Sequence, residues 1–181
     1  REFGEDNLPI EERALLRARH LADFLTLAEE VEPKLQTSEM PEWLKRLETE
    51  HDNLRAALEW SSASPTAGEA ELRLCGSLSK FWALRGHLSE GRLRCRAALA
   101  RDSAQKQSAE RAKVLYAEGV LAWGQGDFAV ARSVFEQALD ISRTLGNKAE
   151  AALYLNALAS VMQYLGDLPA AQSLYEQALM V

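Results

Sequence analysis

The side chains able to do acid–base, covalent or metal chemistry in this 181-residue chain are three histidines, two cysteines and scattered carboxylates, and their spacing limits what they could do. His20, His51 and His87 lie far apart in sequence and follow no metal-ligand or catalytic-triad spacing. His51 falls on the apolar face of a helical pattern, which predicts a core histidine bonded to a neighbour rather than a ligand. His87 occupies a turn position held forty and eighty residues later by Asp127 and Asp167, and reads as a turn residue. Cys75 and Cys95 would lie roughly opposite each other if Ser79 opposes Gly91, so a redox pair is one reading; reduced thiols buried as small hydrophobes is the reading preferred. The pairs Glu11-Glu12 and Glu29-Glu30 read as solvated helix faces. No Gly-rich phosphate loop ending in Lys-Ser/Thr is present. The expectation is a binding protein, not an enzyme, with no metal and no cofactor.

One concentrated basic region, Arg85, Arg92, Arg94, Arg96 and Arg101, could dock an acidic partner; a solvated face with intrahelical salt bridges is the plainer expectation. Charge is uneven along the chain. Residues 1–60 hold 8 Lys/Arg against 15 Asp/Glu, within a net charge of -6, which argues against direct nucleic-acid binding. No apolar run is long enough to cross a membrane and no signal-peptide core opens the chain, so a cytoplasmic location is expected. The lack of an initiating Met and the apolar run ending at Val181 predict a piece of a longer chain.

The elements that must position these residues are helices. Ala, Leu, Glu, Arg and Gln dominate, 47% of residues are hydrophobic, and Gly and Pro are sparse. Gly86-His87-Leu88, Gly126-Asp127-Phe128 and Gly166-Asp167-Leu168 recur at forty residues, and GDFAVARSVFEQAL and GDLPAAQSLYEQAL share eight of fourteen positions. Each unit is therefore helix, tight Gly turn, helix and polar link. Small residues recur where helices approach closely: Ser79, Gly119 and Ala159 in the first helix, Gly91, Ala131 and Ala171 in the second. Each of the first set should be buried against its counterpart in the second. Cys95, Phe135 and Tyr175 fill the bulky position between. Thr66-Ala67-Gly68-Glu69 has capping-box spacing and Gly146-Asn147 suits a left-handed helix stop. Eight helices are expected, near residues 9–32, 41–60, 67–85, 88–101, 109–125, 128–145, 148–165 and 168–180.

This alternation of small residue, turn glycine, small residue, aromatic and alanine resembles the tetratricopeptide repeat over residues 71–181. The resemblance implies an all-α fold, a right-handed superhelical solenoid of such hairpins. Repeats at about 71–107, 109–147 and 148–181 make a unit spanning 67–181, preceded by an N-terminal helical hairpin in residues 1–60 that caps the solenoid. It also implies a concave groove lined by Arg73, Lys80, Lys113, Tyr116, Val120, Trp123, Asn156, Ser160 and Gln163. That lining is cationic at one end, aromatic in the middle and amide-rich at the other, suited to a peptide or a small polar ligand. The alternative for Tyr116 and Trp123 is packing between repeats. The Lys and Asn pattern of chaperone-tail-binding members is missing.

A second resemblance is carried by WLKRLETEHDNLRAALEW, with RHLADFLTLAEEVEP before it and FWALRGHLSEGR after it. Over roughly residues 13–100 the chain resembles the segment joining the ATPase half to the repeat half of bacterial predicted-ATPase transcriptional regulators, the signal-transduction ATPases with numerous domains. Arg1-Glu2-Phe3 resembles the close of that family's winged helix. The resemblance implies a protein-interaction or ligand-sensing arm whose partners are a protein or peptide, the regulator's own ATPase domain, or a small-molecule inducer. A plain assembly scaffold is the alternative. Self-association through the C-terminal repeat is also expected, because an apolar surface with Leu158, Val161, Leu174 and Tyr175 would stand open there.

Overall fold

The computed structural model describes residues 9–101 and 106–181; Arg1-Glu2-Phe3 lies outside the described residues. Nine helices and no strand occur among them: α1 Ile10–Lys34, α2 Met40–Thr49, α3 His51–Ala63, α4 Gly68–Arg85, α5 Leu88–Ala100, α6 Ala109–Gly124, α7 Phe128–Leu145, α8 Lys148–Tyr164 and α9 Leu168–Met180. The fold is an all-α helical repeat, with α4/α5, α6/α7 and α8/α9 as successive hairpins packed each on the next.

The ninth helix arises because the stretch expected as one helix over 41–60 breaks at Glu50. This residue takes φ -94° and ψ 6° and serves as the last cap of α2 and the first cap of α3. Thr49, His51, Asp52 and Asn53 are all weak helix formers, and the Thr49 hydroxyl donates back to the Lys45 carbonyl at 3.0 Å while Asn53 donates to the Glu50 carboxylate at 2.7 Å. The break lets Leu44 and Leu47 of α2, and Leu54, Ala57 and Leu58 of α3, enter one core with α1. Two further boundaries differ from expectation. Helix α1 runs through Pro33 to Lys34, and the proline stands one residue from its end, so the ladder bond it removes is lost from the last turn, beyond which the helix does not continue. Thr66 is not a capping residue: α4 starts at Gly68 after Ala67, without a side-chain cap.

The turns repeat as the spacing predicts. Gly86, Gly126, Gly146 and Gly166 have φ of 79°, 77°, 70° and 84°, a region closed to most side chains. After three of them the next N–H reaches back five residues, from Asp127 to Ala122, Asn147 to Ser142 and Asp167 to Met162, at 2.9 to 3.0 Å. Asp127, Asn147 and Asp167 then accept from the N–H three residues on, capping α7, α8 and α9.

All six small crossing residues are buried, and at two of them the neighbour that requires smallness is visible. A Cβ on Gly119 would overlap the Phe135 ring, and one on Gly91 would fall within 2.8 Å of Trp82 and Leu121. A continuous core runs from Leu21 and Val31 of α1 through Phe81 and Trp82 to Leu121 of α6, so the N-terminal helices share their apolar interior with the first two hairpins. Cys75 and Cys95 are both buried and free, and the Cys75 thiol beside it, together with burial, holds the Cys95 thiol well above its usual range.

Two expectations are corrected. The basic cluster forms no intrahelical face; it staples one helix to another. Arg92 bonds Glu118 at 3.1 Å and Asp127 at 2.8 Å, Arg96 shares Glu118 at 2.8 Å, Arg94 meets Glu59 at 3.1 Å, and Arg85 meets Glu48 at 3.5 Å. Arg101 donates to Glu71 at 3.1 Å and to the carbonyls of Ser61, Ser62 and Ser64. Acidic partners supplied by neighbouring helices decide this, and no single-helix spacing reveals them. Leu158 and Val161 are not on an open end either, because they are buried with Ala122, Ala131 and Phe135 between units two and three. Leu174 and Tyr175 are half-buried; the exposed apolar side chains there include Leu168, Leu179 and Met180.

Candidate functional site

A cleft of about 600 Å³ is walled by the first helices of the three units, α4, α6 and α8, with the end of α1 closing one side. Of the groove residues expected from the sequence, Lys80, Lys113, Tyr116 and Val120 line it together. Arg73 lies in an adjoining hollow that shares Lys113 and Glu150.

The expected cationic end is neutralised from within the chain. Arg73 forms a paired contact with Glu29, both bonds at 2.8 Å, and Lys113 bonds Glu32 at 2.5 Å. The Lys113 stem lies across Gly76, where a Cβ would come within 3.0 Å of it. Helix α1 thus lays its acidic last turns on the cations of α4 and α6. Lys80 makes no ion pair or hydrogen bond among the described residues and is the basic group left to the cleft.

The middle of the cleft is apolar. Leu84 and Leu153 are 47% and 45% exposed although both are leucines lining a concavity, and Tyr116 and Val120 lie half-exposed between them. The Tyr116 ring is set by Phe135 at 5.6 Å and Tyr154 at 5.3 Å between centroids, so it serves the packing of units two and three on one side and the cleft on the other. Burial raises its phenol pKa, and burial with the nearby Glu150 raises that of Tyr154 further. Glu150 completes the site. Its Oε2 is shielded from solvent without a hydrogen-bond partner, and burial pushes its carboxyl above the usual range against the pull of Lys113 and Tyr154.

The remaining expected residues are elsewhere. Trp123 packs edge-on to Phe128 at 5.0 Å and Tyr164 at 5.3 Å, on the far side of the turn, and does not line the cleft. Asn156 is exposed outside it, and Ser160 and Gln163 are both engaged by the Tyr175 hydroxyl, at 3.2 and 3.1 Å. Leu84, Leu153 and Glu150 were missed, although the period holds a signal for Leu153 and Glu150, which stand forty residues after Lys113 and Glu110.

No helix among the described residues is long and apolar enough to cross a membrane. No curated protein matches the chain closely enough to count as a relative. Residues 110–180 match the family model of the tetratricopeptide repeat, so the stretch from α6 to α9 is similar to a fold whose repeats serve as protein-interaction scaffolds.

Proposed function

We propose that the chain binds an extended protein segment in the cleft between α4, α6 and α8. The observation that carries this is the juxtaposition of two exposed leucines, an uncommitted lysine and a carboxylate oxygen without a partner in one concavity. Exposed apolar side chains converging in a cleft with a few fixed polar groups are what a ligand site requires. The segment that fits has an apolar side chain for Leu84, Val120 and Leu153, an acidic group for Lys80, and an amide or ammonium donor for Glu150.

The finer reading is an interaction or ligand-sensing arm of a multidomain bacterial transcriptional regulator, supported by the likeness of residues 13–100 described above. In that role a bound segment or inducer would bias an attached ATPase by preferring one of its states. A plain scaffold would bind without such a bias. Peptides selected from a displayed library on the purified chain test the shared part of both readings: binding should weaken at Lys80→Glu and Tyr116→Ala and persist at Arg132→Glu, which lies on α7 away from the cleft. Selected peptides indifferent to Lys80 and Tyr116 would refute the cleft as the site.

A further inference from the structure

His51 and His87, thirty-six residues apart, meet in the fold with ring centroids 4.3 Å apart, both against Phe81. Glu48 joins them, and one donor atom from each of the three side chains lies within 4.8 Å of those of the other two. The break at Glu50 sets Glu48 and His51 on this side, and the turn after Gly86 delivers His87.

His87 is where unit one departs from its own repeat. Asp127 and Asp167 cap the following helices, whereas His87, at the same position before α5, makes no capping bond and turns its ring to His51 and Glu48. Forgoing such a cap leaves a helix-terminal N–H without the partner that Asp127 and Asp167 supply to theirs. The surroundings favour ligation. His51 is buried and its Nε2 lies 3.2 Å from Glu90, whose carboxylate is gripped by Arg55 at 3.0 and 2.6 Å. A carboxylate behind a histidine orients the ring and raises its basicity, as outer partners do in metal centres. Glu48 turns Oε1 to His87 at 3.3 Å and Oε2 to Arg85 at 3.5 Å, and its side chain is 43% exposed, which leaves it open to solvent and to an ion.

The geometry points to a site for a first-row divalent cation of the Zn²⁺ type, held by His51, His87 and Glu48 with an open position for water. Two imidazoles and one carboxylate are the donor set such ions take. Tetrahedral coordination at bond lengths near 2.0–2.1 Å places donors roughly 3.3 Å apart, so donors now within 4.8 Å must draw closer, and the exposed Glu48 and half-exposed His87 are the side chains placed to move. A bound ion ties α2, α3 and the α4–α5 turn together, fixing the N-terminal helices on unit one.

The test is titration of the untagged chain with Co²⁺ alone, read by its visible absorption, followed by displacement with Zn²⁺. The expected result is one saturable equivalent, with Zn²⁺ raising the unfolding temperature. His87→Asn keeps a cap-competent side chain, so it should fold at least as well while binding weakens beyond the roughly 10–100-fold that loss of an outer partner costs. His51→Gln, which can still bond Glu90, should behave likewise, and His20→Gln should change nothing. Absence of a saturable signal, equal binding by His87→Asn, or an intense near-ultraviolet thiolate band assigning the ion to Cys75 and Cys95 would overturn the site.

Discussion

Replacing Gly119 by alanine tests the packing rule on which the repeat architecture rests. A Cβ at this position would lie 2.6 Å from Phe135 Cδ1 and 2.8 Å from Cζ, with Cε1 closer still, where carbon atoms prefer about 3.5–4.0 Å. The ring has nowhere to go, because it is buried among Ala122, Ala131, Leu158 and Val161. Overpacking of this kind costs about 1–3 kcal/mol, and a rigid ring with an overlap near an ångström belongs at the upper end. Alanine returns about 0.8–1.0 kcal/mol of helix propensity, leaving a net loss of about 2 kcal/mol. Phe135→Ala alone should cost about 3–5 kcal/mol through the cavity it opens. In that background the overlap is gone, so Gly119→Ala should reverse sign and stabilise by about 1 kcal/mol. Urea unfolding of the four proteins, followed by far-ultraviolet circular dichroism, gives the cycle directly. If Gly119→Ala costs the same in both backgrounds, or nothing in the parent, the crossing is not held by glycine and the account of the repeat fails.

Glu118 is 2% exposed and serves both Arg92 and Arg96, so Glu118→Ala should lower the unfolding midpoint in the same assay, by less than loss of an isolated buried pair because Arg92 keeps Asp127, whereas Arg132→Ala, which breaks the exposed pair with Glu136, should leave it nearly unchanged. Because burial raises the Glu150 carboxyl, its charge penalises the folded state above the folded pKa and the penalty fades as protonation sets in. Glu150→Gln should therefore unfold at a higher temperature than the parent at neutral pH, with the gap closing as pH falls through the carboxylate range; a gap that widens in acid would reverse the sign assigned here. Leu179 and Met180 are 89% and 82% exposed at the end of α9, and light scattering across a concentration series should show association that weakens on Leu179→Glu together with Met180→Glu; a monomer at every concentration would tell against it.

Within the three repeats, helix positions, the glycine turns and the small crossing residues were legible because the forty-residue period shows them more than once. What stayed hidden is either masked by a stronger local pattern or depends on chain segments distant in sequence. The break at Glu50 is written in weak local preferences, Thr49 to Asn53, which the strong spacing of Leu44, Leu47, Leu54 and Leu58 masks. The pairing of Arg73 and Lys113 with Glu29 and Glu32 spans 44 and 81 residues, and no local pattern announces it. The same holds for His51 and His87, which read as isolated until the turn after Gly86 brings one to the other. Four of nine expected groove residues share the cleft, since inner-face positions carried over from unit two to unit three fall where Tyr175 engages Ser160 and Gln163.

The central claim, that the cleft between α4, α6 and α8 takes a protein segment, is tested most directly by mapping amide chemical shifts while a selected peptide is titrated into the labelled chain. The account predicts saturable shifts concentrated at Lys80, Leu84, Lys113, Tyr116, Val120 and Leu153, with α5, α7 and α9 little moved. Saturable shifts confined to those second helices, with the cleft silent, would contradict it.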